Sequence, residues 1–325
     1  MLNRELTVEV SRVTEAAAIA AARLRGLGDE QLAHEAATRT MAEAFDALAI
    51  SGRVVVGEGE QGQVAHLWLD QELGRGGPEV DIACTAVEGL TQVAKDLPEA
   101  LSVAALAERD SLIKVPRVYM EKIAIGPGYP EGLVDLDAPV AENLSRLAEA
   151  KGVPVADITV CILDRPRHAG LIGEVREAGA KIRLITDGDI AGIIHTTDPA
   201  ETGIDIYLGI GGAPQGVLAA AALACIGGQM QGRLVARSDD HARAIRRAGI
   251  DDPRRKMTIA DMVRGDVIFA ATGITGGSLL SRVRRLDGKV RTHTLTMRAR
   301  TRTLRESRVF RRVDENGDLL NSIFT

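Results

Sequence analysis

The spacing of hydrophobic and polar positions changes along the chain and predicts its elements. The first 50 residues are rich in alanine and have helical spacing, interrupted by Gly26-Leu27-Gly28. This pattern predicts a helix over residues 4–25 and a second helix whose N-terminus Asp29 caps. Short apolar runs then predict several strands, and another helix is expected to start near Val87. The predicted strands cover residues 53–56, 80–84, 101–108, 111–115 and 119–125.

From residue 138 to residue 226, helical and strand patterns alternate. Such alternation is typical of a mainly parallel sheet covered by helices. The alternating elements are helix 138–151, strand 157–163, helix 169–179, strand 181–186, helix 189–196, strand 204–209 and helix 215–226. Three more strands, over 265–271, 289–299 and 303–312, come before a loosely held tail that follows Val313.

The change of pattern near residue 150 predicts two domains. Residues 1–150 would form an N-terminal αβ domain with a mixed sheet, and residues 151–325 an α/β domain whose C-terminal strands return to the body. Lys151-Gly152 would be the exposed connection between them. The expected fold class is therefore α/β, with one mixed sheet and one mainly parallel sheet.

Composition and charge narrow the range of functions. The 325 residues are 45% hydrophobic and 26% charged, which is a globular balance and excludes a disordered chain. The formal net charge is −5 and aromatic residues make up only 2%, so neither a basic surface nor stacking platforms for nucleic acid are expected. We expect no nucleic-acid partner.

The chain has no apolar stretch that suits a membrane. The longest, Val217 to Ile226, is far shorter than the roughly 20 residues of a spanning helix. Charged residues near the N-terminus do not fit a secretory signal. The widely spaced Cys84, Cys161 and Cys225 fit reduced, buried thiols. We therefore expect a cytoplasmic protein without a membrane partner.

Two acidic positions are candidates for metal chemistry. Glu58 lies in the turn Gly57-Glu58-Gly59-Glu60, directly after a predicted strand, and Glu88 follows the strand 80–84. Carboxylate oxygens are the ligands that Mg²⁺ and Mn²⁺ prefer. A Gly-Glu turn exposed to solvent explains the first motif equally well.

A second group of motifs suits the binding of a phosphorylated ligand. Arg165 and Arg167 flank a proline after strand 157–163, where two guanidinium groups could clamp a phosphate. Asp187 and Asp189 follow the next strand, where one would cap a helix and the other take sugar hydroxyls. The glycine-rich turn 209–216, with Gly211 and Gly212, would offer backbone N–H groups to an anion. An exposed basic loop is the alternative for the arginines.

Taken together, these motifs resemble the class II fructose-1,6-bisphosphatases over nearly the whole chain. The segments that carry the resemblance are Glu9–Glu15, Val56–Glu60, Val80–Ala83, Val118–Lys122, Arg165–His168, Asp187–Asp189, Gly209–Pro214 and Thr272–Thr275. The resemblance implies the layered α-β-α-β-α sugar-phosphatase fold, a phosphorylated sugar as ligand, and divalent-metal catalysis. It also implies a homo-oligomer. Tyr119, Arg165, Arg167, Asp187 and Asp189 match positions that the family uses for phosphate and sugar hydroxyls.

The metal positions depart from the family pattern. His34 stands where the family has a helical Asp, Thr85 where it has the Asp of an Asp-Pro-Ile-Glu-Gly-Thr motif, and Gln215 where it has a Glu. Leu90 replaces the threonine that closes that motif, and Gly62 replaces an Asp thought to activate water. Glu58 and Glu88 remain, and they would hold magnesium or manganese weakly or not at all.

Three functions stay open at this point. The first is hydrolysis of a sugar phosphate or bisphosphate, less efficient with magnesium than in the family, and we favour it slightly. The second is metal-independent isomerase, epimerase or lyase chemistry, with Glu58, Glu88 and His34 as acid–base groups. The third is a catalytically silent sugar-phosphate binder that regulates. His34 could also simply pack against the helix face of Met41 and Phe45.

Overall fold

The computed structural model describes residues 2–314, which form two compact units. The first combines the chain up to Leu112 with the chain from Arg264 onward, and the second runs from Ile113 to Val263. The position near residue 150 therefore lies inside the second unit, and a domain boundary there stays a prediction. The tail expected after Val313 lies, from residue 315, outside the described residues.

The described residues form a mixed α/β structure. Its strands are β1 (Ser51–Val56), β2 (Glu72–Leu73), β3 (Glu79–Glu88), β4 (Leu101–Glu108), β5 (Tyr119–Ile125), β6 (Thr159–Leu163), β7 (Lys181–Ile185), β8 (Ile206–Gly212), β9 (Gln229–Val235), β10 (Met257–Thr258), β11 (Val267–Gly273), β12 (Arg284–Leu286), β13 (Lys289–Arg298) and β14 (Thr303–Arg312). Its helices are α1 (Leu6–Ala22), α2 (Glu30–Asp46), α3 (Leu90–Ala94), α4 (Val140–Lys151), α5 (Ala169–Glu177), α6 (Asp189–Ile194), α7 (Pro199–Thr202), α8 (Ala213–Ile226), α9 (Asp239–Arg247) and α10 (Ile259–Met262).

The first unit is built on a mixed sheet. Its strand order is β12-β13-β11-β4-β3-β1-β2, β14 pairs with β13, and β1 and β3 are parallel. Helix α1 packs on β4, β11 and β13 and against α2, and its C-terminal half, rich in small alanines, permits close approach. Asp29 caps α2 by accepting a hydrogen bond from the Leu32 N–H at 2.9 Å, which confirms the predicted cap.

The second unit is built on a sheet with the order β10-β9-β5-β8-β6-β7. Only the β6–β7 and β6–β8 pairings are parallel, so the sheet is mixed and not mainly parallel. The alternating strands do run in one direction, as their pattern predicts. The difference arises because β5, which comes before them in the chain, inserts antiparallel between β8 and β9.

Other differences are local. Residues 111–115 form no strand, because the N–H groups of Ser111 and Leu112 donate to the Asp81 carboxylate in a turn. Strand β3 continues to Glu88, so the helix expected near Val87 begins three residues later. Strand β9 and helix α9 were absent from the sequence-based elements.

The structure also describes the cysteines and the length of the apolar helices. Cys84, Cys161 and Cys225 are buried and form no disulfide. Among the described residues, no helix combines the length and apolar character that crossing a membrane requires.

The Asp81 carboxylate provides a test of how the first unit is held together. It is fully buried, accepts from Ser111 N at 2.9 Å and lies 3.2 Å from Arg53 Nη2. Asp81→Ala would leave those donors without a buried acceptor, so we expect a loss of about 3 kcal/mol in the free energy of unfolding.

Asp110→Ala is the matched control, because the exposed Asp110 contacts the same Arg53 at 2.7 Å. It should cost less than about 1 kcal/mol, as surface ion pairs do. Urea denaturation measures both, and equal losses would contradict this account of Asp81.

Candidate functional site

The strand directions of the second unit bring its predicted ligand-binding residues to one sheet edge. Tyr119 begins β5 and pairs with Gly212 at the end of β8 and with Val235 at the end of β9. Strands β6 and β7 run parallel to β8, so the loops with Arg165 and Asp187 leave from that same edge. This is the edge where open α/β sheets bind ligands.

Two arginines lie against the Tyr119 ring. The Arg167 Cζ is 5.0 Å and the Arg237 Cζ 4.3 Å from the ring centroid, distances at which a guanidinium is attracted to an aromatic face. Arg167 is also fixed by its Nε, which donates to the Ile210 carbonyl oxygen at 2.8 Å. Sequence reasoning missed Arg237, because it follows β9 and that strand was not predicted. The alternating apolar and polar residues of β9 are the signal that could have indicated it.

His168 attaches the arginine loop to the sheet. Its Nδ1 lies 2.7 Å from the Leu163 carbonyl oxygen, and its Nε2 lies 2.8 Å from the Ile210 nitrogen. Since the Ile210 N–H must donate to Nε2, the ring is neutral and carries its proton on Nδ1. Burial lowers the pKa of His168 below its ordinary value, and the Arg167 charge lowers it further.

A buried ion pair lies beneath this edge. The Lys122 ammonium donates to Asp189 Oδ2 and, at 3.0 Å, to the Gly212 carbonyl oxygen, and both side chains are almost completely buried. A Cβ at Gly211 would overlap Asp189 Oδ2, so only glycine leaves room for the carboxylate. Asp189 thus supports the loop 211–212 from below, and its contact with sugar hydroxyls stays a prediction.

The other predicted ligand residues are more exposed. Arg165 donates through Nη1 to the Asp164 carbonyl oxygen at 3.1 Å. Asp187 accepts from the Gly188 N–H at 3.1 Å, in the left-handed turn that starts α6. Gly212 precedes α8, and the Gln215 side chain folds back over it. The structure therefore gathers Tyr119, Arg167, Asp189, Gly211 and Gly212 through direct contacts.

In the first unit, Glu58 lies in a tight turn after β1. Gly57 is required there, since a Cβ at this position would overlap the Leu67 carbonyl oxygen. The Glu58 N–H donates to that same oxygen at 2.9 Å, which directs the carboxylate inward. Its side chain is only 9% exposed, so the Gly-Glu turn is not a solvent-exposed loop.

Both Glu58 carboxylate oxygens have protein partners. Oε2 lies 3.1 Å from His34 Nε2 on α2, and Oε1 accepts from the Ala86 N–H at 2.7 Å. Ala86 belongs to a bulge of β3, where the pairing with β4 shifts register. Burial, and to a lesser extent the Glu58 charge, raises the pKa of the nearby Cys84 thiol well above its ordinary value.

The residues around Glu58 do not fit a magnesium or manganese ion. Among residues 2–314, no group of three or more His, Cys, Asp and Glu side chains converges as a metal site would require. Glu88 is buried at the end of β3, but Thr85 supplies a hydroxyl where a charged oxygen would serve. The imidazole of His34 suits softer metals than Mg²⁺.

Comparison with known proteins gives consistent matches. The model of a family described as bacterial fructose-1,6-bisphosphatase, glpX-encoded, matches residues 4–310. The chain is 39% identical over 318 residues to the fructose-1,6-bisphosphatase 1 class 2 of Escherichia coli strain K12, covering 94% of both proteins. It matches the fructose-1,6-bisphosphatase class 2 of Shigella flexneri with the same identity and coverage. These matches confirm the resemblance found in the sequence motifs.

The close approach at Gly211 generates a direct test. Gly211→Ala would force the Asp189 carboxylate away from Lys122, so we expect a loss of about 2 kcal/mol in unfolding free energy, typical of overpacking. Gly173→Ala in α5 is the control, because a Cβ there meets nothing within 4 Å. This control should stabilise by about 0.5–1 kcal/mol. A Gly211→Ala protein as stable as the wild type would contradict the packing described.

The state of His168 generates a pH test. Because its folded pKa is lowered, the unfolded chain binds a proton first as the pH falls below the ordinary value of 6.5. The stability from neutral His168 is therefore present above that pH and is lost as the pH falls towards the folded pKa.

We expect His168→Gln to be less stable than the wild type at pH 7.5 and to lose less stability on going to pH 5.5. His66→Gln serves as the control, and urea denaturation at several pH values is the measurement. Burial also lowers the pKa of His293. Because His293 is present in the wild type and in both variants, its contribution to the pH dependence of stability is common to all three. An unchanged pH slope in His168→Gln would overturn the assignment.

Proposed function

Because the chain belongs to the class II fructose-1,6-bisphosphatase family, we propose that it hydrolyses a phosphate ester of a phosphorylated sugar, with a weakened dependence on magnesium. The relatives' names point to fructose 1,6-bisphosphate as the first substrate to test. This hydrolysis would be a reaction of carbohydrate metabolism.

The arrangement of Arg167 carries the binding part of the proposal. Its guanidinium is held by the Ile210 carbonyl and the Tyr119 ring, which leaves the remaining N–H groups oriented in advance. A positioned guanidinium can bind phosphate oxygens in pairs. Arg237 adds positive charge at the same ring, and the N-terminus of α8 follows Gly212. Phosphate would bind here between Arg165 and Arg167, with Asp187 and Asp189 toward the sugar.

The weak metal dependence rests on the donors around Glu58. Membership of the family is consistent with a divalent ion such as magnesium or manganese. In this chain, however, His34 and the Ala86 N–H bind both Glu58 oxygens, and Thr85 brings no negative charge. A hydrated Mg²⁺ exchanges its water mainly for charged oxygen ligands, so this donor set would bind it weakly.

The pair His34–Glu58 would instead provide proton transfer. When Nε2 donates to Glu58, the His34 lone pair lies on Nδ1, as a general base requires. In hydrolysis, the water oxygen forms a bond to phosphorus while the ester bond to the sugar oxygen breaks. The water proton would pass to His34, and the departing sugar oxygen would take a proton from solvent. Glu88 is a further candidate for acid–base catalysis.

The same hydrogen bond favours a second candidate function. A carboxylate–imidazole pair can also transfer protons on a sugar carbon, so isomerase, epimerase or lyase chemistry without a metal is the alternative. Incubation with a panel of phosphosugars, in the presence of Mg²⁺, Mn²⁺ or EDTA, distinguishes the candidates. Released phosphate supports hydrolysis, and a changed sugar that keeps its phosphate supports the alternative. Binding without turnover supports a silent regulator and contradicts both enzymes.

The oligomeric state and the cellular location of the protein can be inferred as well. We infer a homo-oligomer in the cytoplasm, on the basis of family membership and of three buried cysteines without a disulfide. Light scattering of the purified protein measures its mass in solution and tests the first part.

The arginine clamp gives a quantitative test. Removing charged hydrogen bonds to phosphate costs about 1.5–3 kcal/mol each, so Arg165→Ala/Arg167→Ala should weaken the binding of fructose 1,6-bisphosphate by at least about tenfold. Arg176→Ala, on the exposed side of α5, is the control and should bind as the wild type does. Calorimetry measures both affinities. Unchanged binding by the double variant would mean that phosphate binds elsewhere.

The metal departures can be tested by restoring two carboxylates in the first unit. We expect His34→Asp/Thr85→Asp to bind Mn²⁺ at least about tenfold more tightly than the wild type, since added charged oxygens favour hard cations. Electron paramagnetic resonance of free Mn²⁺ measures this without any assay of activity. His34→Asn/Thr85→Asn, which adds oxygens without charge, is the control. Tight Mn²⁺ binding by the wild type would contradict the weakened site.

A further inference from the structure

A cavity in the first unit is lined by a cluster of arginines. It has a volume of 380 Å³, within the range of pockets that hold small molecules. Its arginine lining comes from the segment after α1 and from the chain around β12, namely Arg23, Arg25, Arg282, Arg284 and Arg285. None of these residues belongs to the arginine clamp or to the His34–Glu58 pair.

The charges of this cluster are only partly neutralised. Arg25 Nε forms an ion pair with Asp96 Oδ1 at 2.7 Å. Arg282 and Arg284 form no ion pair with a carboxylate in the part of the chain that the structure describes, and both are exposed. An acidic protein with a net charge of −5 thus concentrates positive charge at one place.

The strand pairing in this part of the sheet places one arginine of the cluster opposite a further arginine. Arg284 of β12 lies directly opposite Arg291 of β13 in the antiparallel pairing. Like charges at directly opposed positions destabilise a sheet. The Arg291 Nε is moreover buried and has no hydrogen-bond partner among residues 2–314. Arg291 lines an adjoining cavity together with Arg282, Arg284 and Asp96. Since Asp96 pairs with Arg25, the three other arginines are not neutralised by it.

An anion at this place would relieve both the repulsion and the unsatisfied donor. We propose that this cavity and the adjoining one, which Arg282 and Arg284 both line, together bind a small oligophosphate, an anion with at least two linked phosphate groups. A phosphate monoester carries roughly 1.5 to 2 negative charges at pH 7, fewer than the three charges of Arg282, Arg284 and Arg291. A diphosphate offers more charge and more oxygens for paired guanidinium contacts. The site is separate from the one proposed for the sugar phosphate.

Calorimetry with inorganic pyrophosphate at low ionic strength tests the proposal. We expect Arg282→Ala/Arg284→Ala to weaken pyrophosphate binding at least about tenfold, in line with the loss of charged hydrogen bonds. Arg246→Ala/Arg247→Ala, which removes two exposed arginines from the end of α9, should bind within about twofold of the wild type. Unchanged binding by the cavity variant would overturn the proposal.

Two further measurements separate this site from the clamp and from a structural role. The Arg167→Ala protein should still bind pyrophosphate at the cavity, even if it no longer binds the sugar phosphate. Pyrophosphate should raise the melting temperature of the wild type and of Arg167→Ala, but not that of the cavity variant. Without pyrophosphate, the cavity variant should melt no lower than the wild type, because a repulsion is removed. A lower melting temperature would mean that the arginines serve the fold, and the proposal would fail.

Discussion

The buried ion pair between Lys122 and Asp189 is the constraint on which the proposed ligand-binding edge of the second unit depends. Both charges are removed from water, so each is tolerated only because the other is present. The pair joins the middle of β5 to the start of α6, and Lys122 also binds the last carbonyl of β8. Three elements that are distant in sequence are therefore fixed together. Tyr119 and Arg167 can be positioned accurately because the backbone beneath them is fixed in this way.

A similar requirement operates at Glu58 in the first unit, with a different outcome. A buried carboxylate needs donors or a cation to compensate for its lost hydration. A metal ion could supply that compensation, but here the His34 ring and the Ala86 N–H supply it. The turn can consequently fold with Glu58 inward and without any cation. If His34 takes the place of the family's helical Asp, as we propose, that replacement would both remove a carboxylate ligand and provide Glu58 with a hydrogen-bond partner.

The sequence predicted most of this structure where local signals were strong. The Asp29 cap, the alternation after residue 138 and the strand ends with Arg165 and Asp187 follow from short-range patterns. The insertion of β5 between β8 and β9 could not be predicted, because pairing between distant strands leaves no local pattern. Arg237 was missed because β9 was not among the predicted strands, and the pairing of β9 with β5 is what brings it to Tyr119. His168 entered the sequence analysis only as the end of the segment Arg165–His168, and its neutral state follows from its two backbone partners.

Charge shows most clearly what composition can and cannot establish. A net charge of −5 argues against a broad basic surface, yet it averages over the whole chain. Arg282, Arg284, Arg285 and Arg291 lie within ten residues of each other, and that density is visible in the sequence. An exposed loop with the same residues would separate its charges in water at little cost. The antiparallel register of β12 and β13 instead places Arg284 opposite Arg291, and the Arg291 Nε is buried. A bound anion would therefore offset the repulsion between the two side chains and accept a hydrogen bond from that donor.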